Sequence, residues 1–213
     1  MSKGTETRRR LLDAARKSIL EKGFGATSID ELIAEVEITK SGFFYHFKDK
    51  GELARTLLEE YIAEEEALFD DIFDQGRELA DDPLQAFLIS LKLLARVVED
   101  LPEGHPGCVI ATYCYQERLF DKEVRELNRT AVLAWRTRFR TIFEEISARY
   151  PPKEDIDLDA LADMVSTILE GGIVMSKALS SPTVFPAQVL LFRNMMRAMF
   201  LPEAQLSRPA ARP

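Results

Sequence analysis

Thr27-Ser-Ile-Asp-Glu-Leu-Ile-Ala-Glu-Val-Glu-Ile-Thr-Lys-Ser-Gly-Phe-Phe-Tyr-His-Phe-Lys-Asp-Lys50 reads as two short helices joined by a tight turn. Ile29, Leu32, Ile33 and Val36 recur at the spacing of one helical face. Thr27 and Asp30 stand three apart, as in a capping box, although Asp is shorter than the usual Glu or Gln. Val36-Glu37-Ile38 forms the turn, and Thr39 is placed to cap a second helix over Lys40 to His46. Two short helices, the second entered through a Thr cap about three residues after the first, make a helix-turn-helix pattern.

Upstream, Leu11, Leu12, Ala15, Ile19 and Leu20 give a first amphipathic helix from about Thr5 to Lys22, stopped by Gly23. Downstream, Asp49 and Glu52 form a better capping box for a long fourth helix ending near Gly76. Pro83 opens a fifth, apolar almost all round and so expected to be buried. Further helices are expected over Val109 to Phe120, from Asp121 to the Pro151-Pro152 pair, over Asp157 to Leu179, and from Pro186. No alternating strand and no internal repeat emerges. The expected fold is all-α: about nine helices, a three-helix head over 1–50, a body over 51–202 and a frayed tail over 203–213.

The 213 residues carry a net charge of −8, unevenly spread. Residues 1–50 hold ten Lys/Arg against eight Asp/Glu, and the first 22 hold seven against three; residues 51–213 hold eighteen against twenty-eight. A basic head on an acidic body suits a nucleic-acid-binding head. The acidic run on the fourth helix (Glu64, Glu65 and Glu66 among others) reads as a solvated face. Polar residues interrupt the longest apolar stretch, Leu84 to Leu101, so no membrane span is expected. The opening residues lead into an amphipathic pattern, not an apolar leader, and a cytoplasmic location follows as an expectation. Cys108 and Cys114 are too few for a disulfide framework or a four-ligand zinc site, so no metal or cofactor is expected. Both are expected to be buried structural thiols, with a redox role as the alternative.

The stretch from residue 8 to 58 resembles the tetracycline-repressor (TetR/AcrR) family. Its signature is carried by the apolar first helix, Gly23-Phe24, the Thr27 position, Tyr45-His46-Phe47, Lys50 and Leu53. The departure is the turn, which in that family usually holds Ala-Gly before an apolar residue and here reads Val36-Glu37-Ile38. Glycine takes positive φ cheaply, and Glu37 in that conformation would cost on the order of 1 kcal/mol, so either the strain is borne or the turn differs slightly. The resemblance implies a head that binds double-stranded DNA and a body that binds a small-molecule effector and pairs two chains. A homodimer on a palindromic operator, acting as a repressor released by an inducer, is the expected function. An activator or architectural DNA binder with the same head is the alternative.

Several residues are candidates for the DNA surface. Thr27 and Thr39 stand at helix N-termini, which favour phosphate. Lys40, Ser41, Gly42 and Phe43 fall on the first turn of the third helix, which can enter a major groove. Gly42 costs roughly 1 kcal/mol against Ala in a helix, a cost that makes sense if backbone must approach DNA. Phe43 is expected to face outward onto a thymine methyl, with Phe44 and Phe47 in the core. Tyr45, His46 and Lys50 carry phosphate-directed donors, and Lys3, Arg8, Arg9 and Arg10 form a candidate arm along the backbone or minor groove.

In the body, Phe87, Leu91, Tyr113, Cys114, Gln116 and Trp135 make a mixed aromatic and polar set suited to lining an effector pocket. By resemblance the last two long helices pair with their mates as a four-helix bundle, with Ile168, Gly172, Met175, Phe192, Met196 and Met199 as interface candidates. A helical enzyme is disfavoured: no Glu-x-x-His pair and no nucleophile–base arrangement is present, and the chain has two His.

Overall fold

The computed structural model describes residues 3–201, so the tail expected after residue 202 lies outside the described residues. Among these residues are nine α-helices and one 3-10 turn, and no strand. They are α1 (Lys3–Lys22), α2 (Ile29–Val36), α3 (Lys40–His46), α4 (Lys50–Leu79), α5 (Pro83–Glu99), α6 (Val109–Tyr115), α7 (Lys122–Arg149), α8 (Leu158–Ala178) and α9 (Val184–Phe200). The fold is all-α, as the periodicity predicts. The helix expected over Val109 to Phe120 instead breaks after Tyr115 into a 3-10 turn over Glu117–Leu119. The fourth helix also runs past its expected stop at Gly76. A side chain there would lie 2.1 Å from Ser90 Oγ and 2.7 Å from the Ala86 carbonyl oxygen, so this glycine serves a close α4–α5 crossing and ends nothing.

The chain gathers into two compact units, Met1–Ala67 with Pro106–Val132, and Leu68–His105 with Leu133–Pro213. The first contains α1 to α3, the start of α4, α6 and the start of α7. Leu11, Leu12, Ala15 and Ile19 of α1 are buried, as are Leu32, Val36, Phe43, Phe47 and Leu53. Gly23 ends α1 at φ +86, donating its N–H to the Ile19 carbonyl at 2.9 Å. Beside it lies an aromatic group: the Phe24 and Phe120 rings are 4.5 Å apart, and Tyr113 stacks on Phe120 at 4.2 Å. The Tyr113 hydroxyl donates to the Ala54 carbonyl at 2.9 Å, which satisfies the one polar atom this ring carries inside.

In the second unit α5 buries nine of its seventeen residues and packs along α9, with Gln85, Lys92, Arg96 and Glu99 on an exposed stripe, and α8 packs on α9. Phe73, Phe87, Phe139 and Phe143 meet at ring distances of 5.2 to 6.1 Å in that core. Asp82 caps α5, accepting from Gln85 N–H at 2.9 Å, with Pro83 at the first helical position. The same carboxylate accepts the Tyr150 hydroxyl at 2.6 Å, just past the end of α7. Arg136 of α7 forks onto Asp163 of α8 at 2.7 and 2.6 Å, a two-point pairing that fixes orientation as well as distance.

Candidate DNA-binding interface

Ser28, not Thr27, caps α2. Its hydroxyl accepts from the Glu31 N–H, and the Glu31 carboxylate accepts from the Ser28 N–H, both at 3.1 Å. The longer Glu closes the box that Asp30 is too short to close. A hydrogen bond from Lys22, at 2.8 Å, and those from Ser28 hold the Glu31 carboxyl below its ordinary pKa. Thr27 is buried: its hydroxyl donates to the Gly23 carbonyl at 3.0 Å and lies 2.9 Å from Ser18 Oγ. The expected phosphate role of Thr27 is therefore corrected, since its side chain anchors the α1–α2 turn from inside.

The turn between α2 and α3 keeps the geometry that glycine would give it. Glu37 sits at φ 58, ψ 46. Ile38 N–H donates to the Ile33 carbonyl at 3.0 Å and Glu37 N–H to the Ala34 carbonyl at 3.3 Å, the two bonds of a Schellman ending. Arg10 adds a third donor, reaching the Val36 carbonyl at 3.0 Å. The left-handed strain at Glu37 is thus borne by a turn whose carbonyls are well satisfied.

Thr39 caps α3, accepting from the Gly42 N–H at 3.1 Å. Two faces of this helix separate cleanly. Phe43 and Phe47, four apart, are fully buried with rings 5.9 Å apart. Lys40, Ser41, Phe44 and Tyr45 face outward; Phe44 is 47% exposed and Tyr45 83%. The expectation for Phe43 is corrected: it is core, and Phe44 takes the outward place. The 43–47 pairing puts both rings under the helix, whereas Phe44 shares its face with Lys40, four residues earlier. A side chain at Gly42 would meet nothing closer than 3.4 Å, so packing within the chain does not demand this glycine.

The charges divide in the same way. Lys40 makes one exposed ion pair, to Asp30 at 3.4 Å, of the kind that exchanges readily with another anion. Lys48, just after α3, is exposed, and sequence reasoning passed over it. His46 is half-buried, its ring 5.0 Å from that of Tyr45. Lys50 turns inward instead: its ammonium donates to the Phe24 carbonyl and lies 4.1 Å from the Phe24 ring centroid. Burial lowers its pKa, and one of its three donors pins α4 to the α1–α2 turn. Arg8 is similarly committed, paired with Glu60 at 3.2 Å and lying 5.1 Å from the Phe47 ring centroid. With α1 helical from Lys3 onward, Arg8, Arg9 and Arg10 form no extended arm; the Lys3 side chain lies outside the described residues.

The effector-pocket candidates are divided between the two units. Tyr113, Cys114 and Gln116 belong to the first unit, and Phe87, Leu91 and Trp135 to the second. Gln116 accepts the Gly25 N–H at 3.0 Å, bracing the α1–α2 turn. Cys108 is buried and caps α6, while Cys114 is exposed, correcting the expectation of two buried thiols. Of the interface candidates, Gly172, Phe192 and Met196 are buried within the chain, and a side chain at Gly172 would lie 2.5 Å from the Phe185 ring. These three are core, correcting their assignment. Met175 is 47% exposed, and Ile168 and Met199 are half-buried.

Known proteins resemble this chain in sequence and fold. Residues 11–57 match the family model described as bacterial regulatory proteins, tetR family. The transcriptional regulator AcuR of Cereibacter sphaeroides is 25% identical over 170 residues, covering 78% of this chain and 74% of that protein. The HTH-type transcriptional regulator LmrA of Bacillus subtilis is 27% identical over 182 residues, covering 84% and 90%. The HTH-type transcriptional repressor DhaR of a Mycobacterium species is 21% identical over 173 residues, covering 81% and 83%. A TetR-family regulator from Agrobacterium tumefaciens superposes with a TM-score of 0.76 at 19% identity, covering 93% of this chain and all of the other, which shows the shared fold. With its capped helix-turn-helix and these relatives, the chain carries a tetR-family DNA-binding head over residues 11–57 and resembles transcriptional regulators over most of its length.

Proposed function

We propose that the protein is a repressor that binds a palindromic operator as a homodimer and is released by a small-molecule inducer. The observation that carries the DNA half is the outward face of α3: Lys40, Ser41, Phe44 and Tyr45 stand clear of the core, with Thr39 and Gly42 at the helix start. Lys40, Lys48, Tyr45 and His46 would meet phosphates, and Ser41, Gly42 and Phe44 base edges. In this reading the DNA contacts lie within residues 1–50, residues 51–202 serve the effector and the dimer, and the protein works in the cytoplasm. No described helix is long and apolar enough to cross a membrane.

Pairing is supported by a second apolar stripe on each of α8 and α9, on the side away from the core. Ile168, Gly171 and Met175 follow one another at spacings of three and four, as do Leu191, Met195 and Ala198. Leu191 is 54% exposed and Met195 41%. A side chain added at Gly171 would meet no atom within 4 Å, so that glycine answers no need inside one chain and suits close approach by a second. The name of DhaR, a repressor, favours repression over activation.

A footprint of the purified protein on the DNA upstream of its own gene tests this. Two protected half-sites about 34–36 Å apart, with affinity falling steeply with salt, are expected. Lys40→Ala should flatten the salt slope by about 1 while leaving the dimer intact. A single asymmetric site, or salt-independent binding, would sink the proposal.

A further inference from the structure

A cavity of about 280 Å³ opens in the second unit where α4 ends, α5 begins and α7 passes. Its apolar part includes Phe73, Phe87 and Ile142, and the two rings lie nearly parallel, 6.1 Å apart. The polar lining comprises Arg77, Asp81, Ser90 and Glu145. These four are unevenly committed. Arg77 makes an exposed ion pair with Asp74 at 3.4 Å and sets one positive charge against the two carboxylates of the lining. The Ser90 hydroxyl has spent its proton on the backbone, lying 3.0 Å from the Ala86 carbonyl and 3.3 Å from that of Ile72. Asp81 and Glu145 have no ion-pair partner among the described residues. What the cavity can still offer is therefore mostly acceptor: two carboxylates and the Ser90 lone pairs. The C-terminal end of α4 adds its negative pole just before Ala80 and Asp81, whereas the positive pole of α5 is already met by the Asp82 carboxylate.

We propose that this cavity binds a small protonated organic amine with an aromatic or branched apolar body. The ammonium would lie between Asp81 and Glu145, and the apolar body against Phe73 and Phe87. The volume falls just under the roughly 300–1,000 Å³ of drug-sized pockets, which limits the body to about one ring. This deepens the inducer reading above and rests on it, naming the chemical class of the effector.

Calorimetry on the full chain, without DNA, tests the site. Three probes of one shape are compared: phenethylamine, phenethyl alcohol and phenylpropionate. Phenethylamine should bind, the alcohol more weakly, and the carboxylate not measurably. Asp81→Asn and Glu145→Gln should each weaken the amine about three- to tenfold. Arg77→Gln should tighten it, because it removes the one cation in the lining. A merely structural role for these exposed residues would not give opposite signs. Equal or tighter binding of phenylpropionate, indifference of the amine to all three substitutions, or no amine binding at millimolar concentration would overturn the proposal. Competition against the footprinted DNA is read separately. An amine that binds in this charge-dependent way while the protein leaves no footprint keeps the site and removes the regulator reading. A footprint released only by anions does the reverse.

Discussion

The α2–α3 segment and the α8–α9 pair solve opposite problems. The first is short and held by local devices: the Ser28–Glu31 box, the Schellman ending at Glu37 and the Thr39 cap. Its outward face is polar and aromatic. The second is long and held by packing, with Phe185, Val189, Phe192 and Met196 buried, and its outward face is still apolar. The contrast teaches how to read an exposed surface. Where a helix has spent its apolar residues and shows Lys, Ser and Tyr, the next partner is wet and charged. Where it keeps a second apolar stripe, the next partner is another helix.

The severest way to break the comparison is Phe43→Ala. Emptying that fully buried position should cost about 3–5 kcal/mol, read by chemical denaturation. DNA binding should vanish with it, whereas truncating exposed Phe44 should leave stability within about 0.5 kcal/mol and touch only DNA affinity. The Leu191→Glu, Met195→Glu double variant comes next. Two charges facing a partner's apolar stripe should yield monomers in sedimentation velocity, with the helical spectrum retained and operator affinity reduced. Ser28→Ala removes one half of the capping box and should cost about 1 kcal/mol, leaving the oligomeric state unchanged. The smallest effect sharpens the comparison most. Glu37→Gly relieves roughly 1–2 kcal/mol of left-handed strain and returns about 0.5–1 kcal/mol in chain entropy. A net gain of a few tenths to about 1 kcal/mol in melting experiments is expected, and a loss would mean that the Glu37 side chain itself holds the turn.

How legible each region was in the sequence follows the same divide. The bounds of α3, Lys40 to His46, are visible because a Thr cap and a following break are local signals. The left-handed backbone at Glu37 is an expectation of the family resemblance, because no local signal in Val36-Glu37-Ile38 asks for positive φ. The Ser28 cap is written in the sequence as Ser-x-x-Glu, one residue past Thr27-x-x-Asp30, and that one-residue offset turns Thr27 inward. Facing is harder. Phe43 and Phe44 differ by one position, and only the packing of Phe47 against Phe43 decides which is core. The same one-residue ambiguity separates exposed Gly171 and Met195 from buried Gly172 and Met196. An amphipathic helix with apolar residues on two sides has two candidate cores, and periodicity alone cannot rank them. Lys50 and Gln116 were illegible for a different reason: their partners, Phe24 and Gly25, are 26 and 91 residues away in sequence.

That last pairing bears on how such regulators can be recombined. An exchange of heads between relatives, cut near residue 50, would carry Gly23 and Gly25 into a host lacking the residue that answers them. The Gln116 amide nitrogen lies 2.1 Å from where a side chain at Gly23 would begin, and Leu119 Cδ1 lies 3.1 Å from the corresponding point at Gly25. The graft would meet either a void or a clash at the hinge of its own first turn. A transplantable head therefore has two pieces of chain, and the seam of a working chimera must follow Pro106–Val132 as well as Met1–Ala67.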